Sequence, residues 1–176
     1  MIQALVARRD DLEVAVSATT RPRRPGEQDG REYYFLSEER FLELVRENGF
    51  LEHVVYVGHR YGTLRSEVKR IFDEGKSCVL ELETGGARAV KEEQPDSVTI
   101  FVSAPSFAEL ERRLRERATE SSGDIGERLE VARQQMGEAD DFDYTVVNDD
   151  VERAVQELEK VVDAALTVRP ATPSGL

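Results

Sequence analysis

Short apolar runs alternate with amphipathic stretches along most of this chain, and that alternation narrows the possible architectures more than any other feature of the sequence. Ser77–Leu82, Ser97–Val102 and Tyr144–Val147 read as strands. Each leads into a helical pattern: Gly86–Glu93, a stretch opened by a capping box of Ser106 with Glu109 and running to about Arg117, and Val151–Leu166. Nearer the start, residues 1–9 carry helical spacing through Ile2, Leu5 and Val6, and Glu13–Ala18 reads as a strand with Val14 and Val16 on one face. Ser37 is placed to cap a helix over Glu38–Asn48 that stops near Gly49; Phe50–Val57 then reads as a strand and Leu64–Glu74 as a helix. The polar stretch Thr119–Gly126 precedes a helix over Glu127–Ala139. This ordering predicts an α/β fold, a parallel sheet flanked by helices, with inserted mobile segments near residues 19–75 and 119–139. The Pro-containing tail, residues 167–176, reads as disordered.

The length of 176 residues suits one domain with a sizeable core. With 24 basic against 36 acidic residues the net charge is −12, which argues against broad binding to nucleic acid or to an anionic membrane. Any anion must be caught locally. No apolar run approaches the length of a membrane span and the first residues lack the order of regions a signal peptide needs, so the expected location is the cytosol. Cys78 is the sole cysteine; no internal disulfide can form, and within Ser-Cys-Val-Leu it reads as a small core residue.

Between Ser17 and Tyr34 the chain gathers Arg21, Arg23, Arg24 and Arg31 with Pro22, Pro25 and Gly26. The prolines fix φ and the glycine permits a tight turn, so guanidinium groups are presented on a stiff backbone. Such a loop either holds a phosphate or is a solvated basic turn. Glu52 falls in the Phe50–Val57 strand on the face of Val54 and Tyr56, where a charge is costly unless paired or wet; the other reading is an exposed edge-strand glutamate. Arg113 and Arg117 lie four apart on one helix face and Arg128 follows on the next helix, a pattern that suits either a phosphate clamp or exposed ion pairs.

The Ser17–Tyr34 segment resembles the GMP-binding loop of guanylate kinases, and the pattern continues through Tyr61-Gly62-Thr63 and Val147-Asn148-Asp149-Asp150, spanning about Leu5 to Leu166. The resemblance implies a P-loop nucleoside-monophosphate-kinase-like sheet with a domain over residues 1–166: core 1–18, 76–118 and 140–166, GMP-binding segment 19–75, lid 119–139. It also implies an enzyme that transfers phosphate from ATP, with Mg2+, to GMP. Glu52 then accepts from guanine N1–H and the exocyclic amine, Glu81 assists, and the hydroxyls of Ser17 and Thr63 address the acceptor side of the base. Arg21, Arg24, Tyr33 and Tyr61 hold the GMP phosphate, with Glu27 tying the loop together. Arg113, Arg117 and Arg128 clamp the ATP phosphates and the transferred group, Asn148 contacts the adenine, and no protein metal ligand is assigned.

The chain departs from the family pattern in places. Glu83 stands where the family has aspartate, Gly85 where it has glutamine, and Ala118 where it has the lid glycine. Glu83 is one methylene longer, which shifts a carboxylate near Mg2+ by about an ångström. Nothing in the sequence fits G-x-x-x-x-G-K-[ST], the ATP phosphate cradle with which guanylate kinases open. In that architecture the strand before the cradle lies mid-sheet, so the expectation is that Met1 is internal to a longer protein and that residues 1–176 alone are inactive or feeble. The competing readings are a catalytically dead guanylate-kinase-like module that binds GMP or a protein partner, and a related kinase acting on a sugar phosphate. Arg113, Arg117, Arg128 and Asn148 argue against the first; Glu52, Ser17 and Thr63 together argue against the second.

Overall fold

The computed structural model describes residues 1–117 and 122–168, with the side chains of Arg117, residues 122–125, Glu127 and Val168 outside the description. The expected tail beyond 168, Ala118, and the first part of the Thr119–Gly126 stretch lie outside the described residues. A short helix α1 (Ile2–Val6) opens the chain. Two units follow: Val6–Pro95, and a second holding Met1–Leu5 with the residues from Asp96 onward.

In the first unit, the single strand expected over Glu13–Ala18 is two. β1 (Leu12–Val14) pairs in parallel with β6 (Ser77–Val79), and β2 (Ala18–Thr19) belongs to a different sheet. Between them the backbone changes partners: Ala15 N–H still donates to Val79 C=O, at 3.0 Å, while Val16 N–H turns to the carboxylate of Glu67, at 3.2 Å. The second sheet runs β3-β2-β5-β4, with β3 at Tyr34–Phe35, β4 at Phe50–Tyr56 and β5 at His59–Leu64. β2–β3 is parallel, but β2–β5 and β4–β5 are antiparallel, so this inserted sheet is mixed. β5, absent from the sequence reading, is the return arm of a hairpin turning at Val57 (φ 45°) and Gly58 (φ 75°). Both central residues are left-handed, which matches the strand twist, and a β-branched valine in that region carries no turn signal.

Helix α2 (Glu38–Arg46) starts where Ser37 Oγ accepts from Arg40 N–H at 3.1 Å. It ends before Gly49, in a Schellman arrangement with Asn48 at φ 54°: Gly49 N–H returns to Leu44 C=O and Asn48 N–H to Val45 C=O. α3 (Arg65–Asp73) ends the same way around Gly75, and α4 (Thr84–Glu93) follows β6. Two clusters fill the unit. Phe41 stacks on Phe50 at 4.3 Å between ring centroids, with Ala18, Tyr34, Leu36 and Leu64 around them. Leu51, Val68 and Val90 form the other, with Phe72, Leu80 and Cys78. Burial pushes the Cys78 thiol up to about 12, which suits a core residue rather than a nucleophile.

In the second unit, β7 (Ile100–Ser103) pairs in parallel with β8 (Tyr144–Val147), Ile100 facing Tyr144 and Ser103 facing Val147. α5 (Phe107–Arg117) begins after Ser106, whose Oγ accepts from Glu109 N–H, while the Glu109 carboxylate is held by Arg112 and Arg113 rather than completing a box. α6 (Ser122–Met136) begins five residues earlier than the sequence suggests. Gly126 sits within it in open space, where a glycine costs about 1 kcal/mol relative to alanine without stopping a helix. α7 (Val151–Val168) is capped by Asp150, which accepts from Arg153 N–H, and it buries Ala154, Val155 and Leu158.

Candidate active site

In the Val6–Pro95 unit the candidate residues come from β2, β4, β5 and the loop that joins β2 to β3. Glu52 on β4 is 5% exposed and faces Thr63 of β5 in register. Its Oε1 accepts from Thr63 Oγ1 at 2.8 Å. Its Oε2 lies where a Cβ on Gly86 would come within 2.7 Å, so a glycine in the first turn of α4 makes room for the carboxylate beside the N-terminus of that helix. Burial pushes the Glu52 carboxyl above its ordinary value, opposed by the Thr63 hydroxyl and backbone. A buried carboxylate in this state gains most from a ligand that brings N–H donors.

Thr19 and Thr20 fix the start of the loop. Thr19 Oγ1 donates to Arg60 C=O at 3.0 Å and accepts from Arg21 N–H at 3.1 Å, while Thr20 Oγ1 accepts from Arg60 N–H. Arg21 is consequently held against the sheet with its guanidinium carbon 5.4 Å from the Tyr33 ring centre and 5.8 Å from that of Phe35. Its fork meets Glu27 at 2.7 and 3.2 Å, and Nη1 also donates to Pro22 C=O at 2.7 Å. Glu27 accepts from Arg24 N–H at 2.7 Å as well, so one carboxylate ties the arginine loop to itself. The Arg21 bond is the main reason the Glu27 carboxyl is held low. Arg24 itself is exposed.

The Tyr33 and Tyr61 rings meet edge-on at 6.0 Å. Burial raises the Tyr33 phenol, with the Tyr61 and Glu81 charges adding to it against Arg21. Glu81 stands exposed beyond the end of β6. Ser17 is half-buried between β1 and β2, its C=O accepting from Tyr34 N–H at 2.9 Å. Ser17, Arg21, Arg24, Glu27, Tyr33, Glu52, Tyr61, Thr63 and Glu81 therefore all lie in one unit. Sequence reasoning missed Phe35, Gly86 and the two threonines. The Tyr33-x-Phe35 alternation, which puts both rings on one strand face, could have flagged the first.

The unit from Asp96 onward holds the other candidates. Arg113 on α5 donates through Nε to Glu109 at 2.7 Å and through Nη1 to the backbone C=O of Asn148 at 2.8 Å. Asn148 sits just past β8, its N–H donating to Ser103 C=O at 2.8 Å. The structure thus joins Arg113 to Asn148 through the main chain. Arg128 is half-buried on α6; Arg117 ends α5, and its side chain lies outside the described residues. Glu83 occupies the N-cap position of α4 without a side-chain capping bond, and Gly85 is exposed one residue into the helix. Among the described residues no three His, Cys, Asp or Glu side chains converge to hold a metal, and no helix is long and apolar enough to cross a membrane.

Comparison with known proteins gives a consistent result. The family model for guanylate kinase matches residues 1–165. A guanylate kinase of Synechococcus is 45% identical over 92% of this chain and 75% of its own length. One of Thermus thermophilus is 46% identical over 93% of this chain and 74% of its own. Among solved structures, guanylate kinase from Anaplasma phagocytophilum superposes with a TM-score of 0.76 at 30% identity, covering 92% of this chain and 80% of that one.

Proposed function

The chain belongs to the guanylate kinase family, and from that premise we propose that it binds GMP as phosphoryl acceptor and ATP as donor, yielding GDP and ADP. Glu52 is the observation that carries the reading: a carboxylate 5% exposed, anchored by Thr63 on one oxygen and given space by Gly86 at the other. Guanine offers N1–H and a 2-amino group side by side, two donors that match one carboxylate. Adenine presents an acceptor at N1 and leaves the buried charge without partners, a penalty of about 1–3 kcal/mol or more. Ser17 and Thr63 address the remaining edge of the base.

Arg21, Arg24, Tyr33 and Tyr61 are assigned to the GMP phosphate. Arg21 is already oriented by Glu27 and two aromatic faces, so little side-chain entropy is lost when a phosphate takes over part of its fork. An oxygen of the GMP phosphate forms the new P–O bond as the bond from the donor's γ-phosphorus to its bridging oxygen breaks. Because that phosphate is already ionised at neutral pH, no side chain has to remove a proton. Arg113, Arg117 and Arg128 are assigned to the charge on the transferred group and the donor phosphates, and Asn148 to the adenine. Mg2+ would be carried on the nucleotide phosphate oxygens, where it neutralises charge; no protein ligand is assigned to it, and Glu83, at the N-cap of α4, is the departure from the family pattern nearest to that role. The same reading places the chain in the cytosol with its two nucleotides.

No stretch of residues 1–176 fits a Walker A cradle, so we expect these residues alone to bind GMP and to transfer phosphate feebly. Glu83, Gly85 and Ala118, which depart from the family pattern on the donor side, favour the second reading, a GMP-binding module without catalysis. A coupled ADP-release assay with GMP or AMP as acceptor decides between them. ADP release that depends on GMP and not AMP supports a guanylate kinase, whereas GMP binding with no release, even when a Walker A segment is supplied in frame ahead of Met1, favours the module.

A further inference from the structure

One buried charge of the Val6–Pro95 unit takes no part in the chemistry just described. Glu67, in the first turn of α3, is 4% exposed. Its Oε1 accepts from Val16 N–H at 3.2 Å and Arg70 Nη2 at 3.0 Å; its Oε2 accepts from the Tyr34 hydroxyl at 3.2 Å and Arg70 Nε at 3.1 Å. Burial works against its charge, yet Arg70, the Val16 N–H and the Tyr34 hydroxyl together hold the carboxyl below its ordinary value. Arg70 is steadied in turn by Glu13 and Glu74, and Lys76 bridges those two.

The partners of Glu67 are placed around Ser17. Val16 immediately precedes it, and Tyr34 N–H donates to the Ser17 C=O at 2.9 Å while the Tyr34 hydroxyl reaches Glu67. The Val16 N–H on one side of Ser17, and the side chain of Tyr34, whose own N–H holds the Ser17 C=O, therefore meet on one carboxylate. Tyr33, which immediately precedes Tyr34, carries the ring beneath Arg21. We propose that Glu67 is a positioning residue of the acceptor site: by binding Val16 N–H and the Tyr34 hydroxyl at once, it sets where Ser17 and Tyr33 stand relative to a bound purine monophosphate. This rests on the GMP reading above.

The test uses the whole chain, with GMP titrated calorimetrically and Val16 amide exchange followed by NMR. Glu67→Gln keeps the shape but turns one acceptor into a donor, so either the Val16 or the Tyr34 side loses its partner. The expected result is faster Val16 exchange or a freed Tyr34, with GMP affinity lowered about tenfold; Tyr34→Phe, losing one neutral donor, lowers it about threefold. Glu13→Gln cuts the same network at a site away from Ser17. It lowers the melting temperature and leaves GMP affinity within about twofold. Wild-type affinity in Glu67→Gln overturns the proposal, as does an equal loss in Glu13→Gln, which would mark a general effect of stability. If Glu67→Gln does not fold, unchanged affinity in Tyr34→Phe overturns it. Failure of the wild-type chain to bind GMP overturns the acceptor reading itself and this proposal with it, and is distinguished by that control alone.

Discussion

In the Val6–Pro95 unit Glu52 and Arg21 are held from several directions at once, whereas in the unit from Asp96 onward Arg113, tied to Glu109 and the Asn148 carbonyl, stands on a helix whose other arginines make exposed ion pairs. Glu52, Thr63 and Glu67 are buried, and Arg21 is gripped by a carboxylate, a carbonyl and two rings. Around Arg113, by contrast, Arg112 pairs with Glu109 and Glu116, and Arg115 with Glu111, all on the surface of α5. Such pairs are screened by water and fix little. The difference teaches that discrimination and charge stabilisation make different demands. Reading a base edge requires donors and acceptors that cannot move aside, so the geometry is built before the ligand arrives. On the proposed assignment, charge on a transferring phosphate falls to guanidiniums that must be brought to it, and Arg113 would exchange its bonds to Glu109 and the Asn148 carbonyl for that task.

The sharpest way to break this contrast is Glu52→Gln. It removes two charge-assisted acceptors from the base and should lower GMP affinity about 300-fold by calorimetry. Its pH behaviour has two opposite signs. If Glu52 recognises GMP as proposed, its ionised form is needed, so affinity should fall as pH drops through the raised Glu52 value, at higher pH than an ordinary carboxyl would titrate. Without ligand, a carboxyl raised in the fold favours the folded state most below its unfolded value, and that contribution is lost as pH rises through the folded one. Thermal melts of Glu52→Gln against wild type should therefore move in the variant's favour as pH rises above the ordinary carboxyl range. A wild-type chain that gains on the variant over that range would show the carboxylate to be well paired without ligand.

Next in size, Arg113→Ala should cut ADP release about 100-fold while leaving GMP affinity unchanged. A loss of GMP affinity instead would move Arg113 from the donor assignment to the acceptor one. Gly86→Ala places a methyl 2.7 Å from Glu52 Oε2, and GMP affinity should fall about tenfold as the carboxylate is pushed aside. Smallest is Val57→Asn at the β4–β5 turn. Asparagine tolerates the left-handed backbone that valine resists, so the variant should be more stable by about 1 kcal/mol in chemical denaturation with GMP affinity untouched.

Much of the scaffold was legible because periodic patterns are local. Tyr144–Val147 and the helices from Glu38, Arg65 and Val151 follow from spacing, caps and glycine stops within a few residues. What escaped depends on distant partners. β2 and β3 are two residues each and exist because β5 lies beside β2, and β5 itself follows a turn in which Val57 hides the signal. The Arg-Ser-Glu-Val-Lys-Arg run reads as the polar start of a helix; only Val16, 51 residues away, and Tyr34, 33 residues away, make its glutamate a buried hub. At the candidate site, residue types and strand faces were visible in the sequence. The fixing of Arg21 by Thr19 and Phe35 was not, since it depends on a backbone path that brings Arg60 alongside.

On the proposed reading, the buried carboxylate on β4 selects a purine by its edge. Titrating this chain with GMP and with AMP in the same buffer, followed by calorimetry, tests it most directly: GMP should bind at least about 100-fold more tightly, with the preference lost in Glu52→Gln. Equal affinity for the two nucleotides, or a preference that survives that substitution, would rule out Glu52 as the group that reads the base.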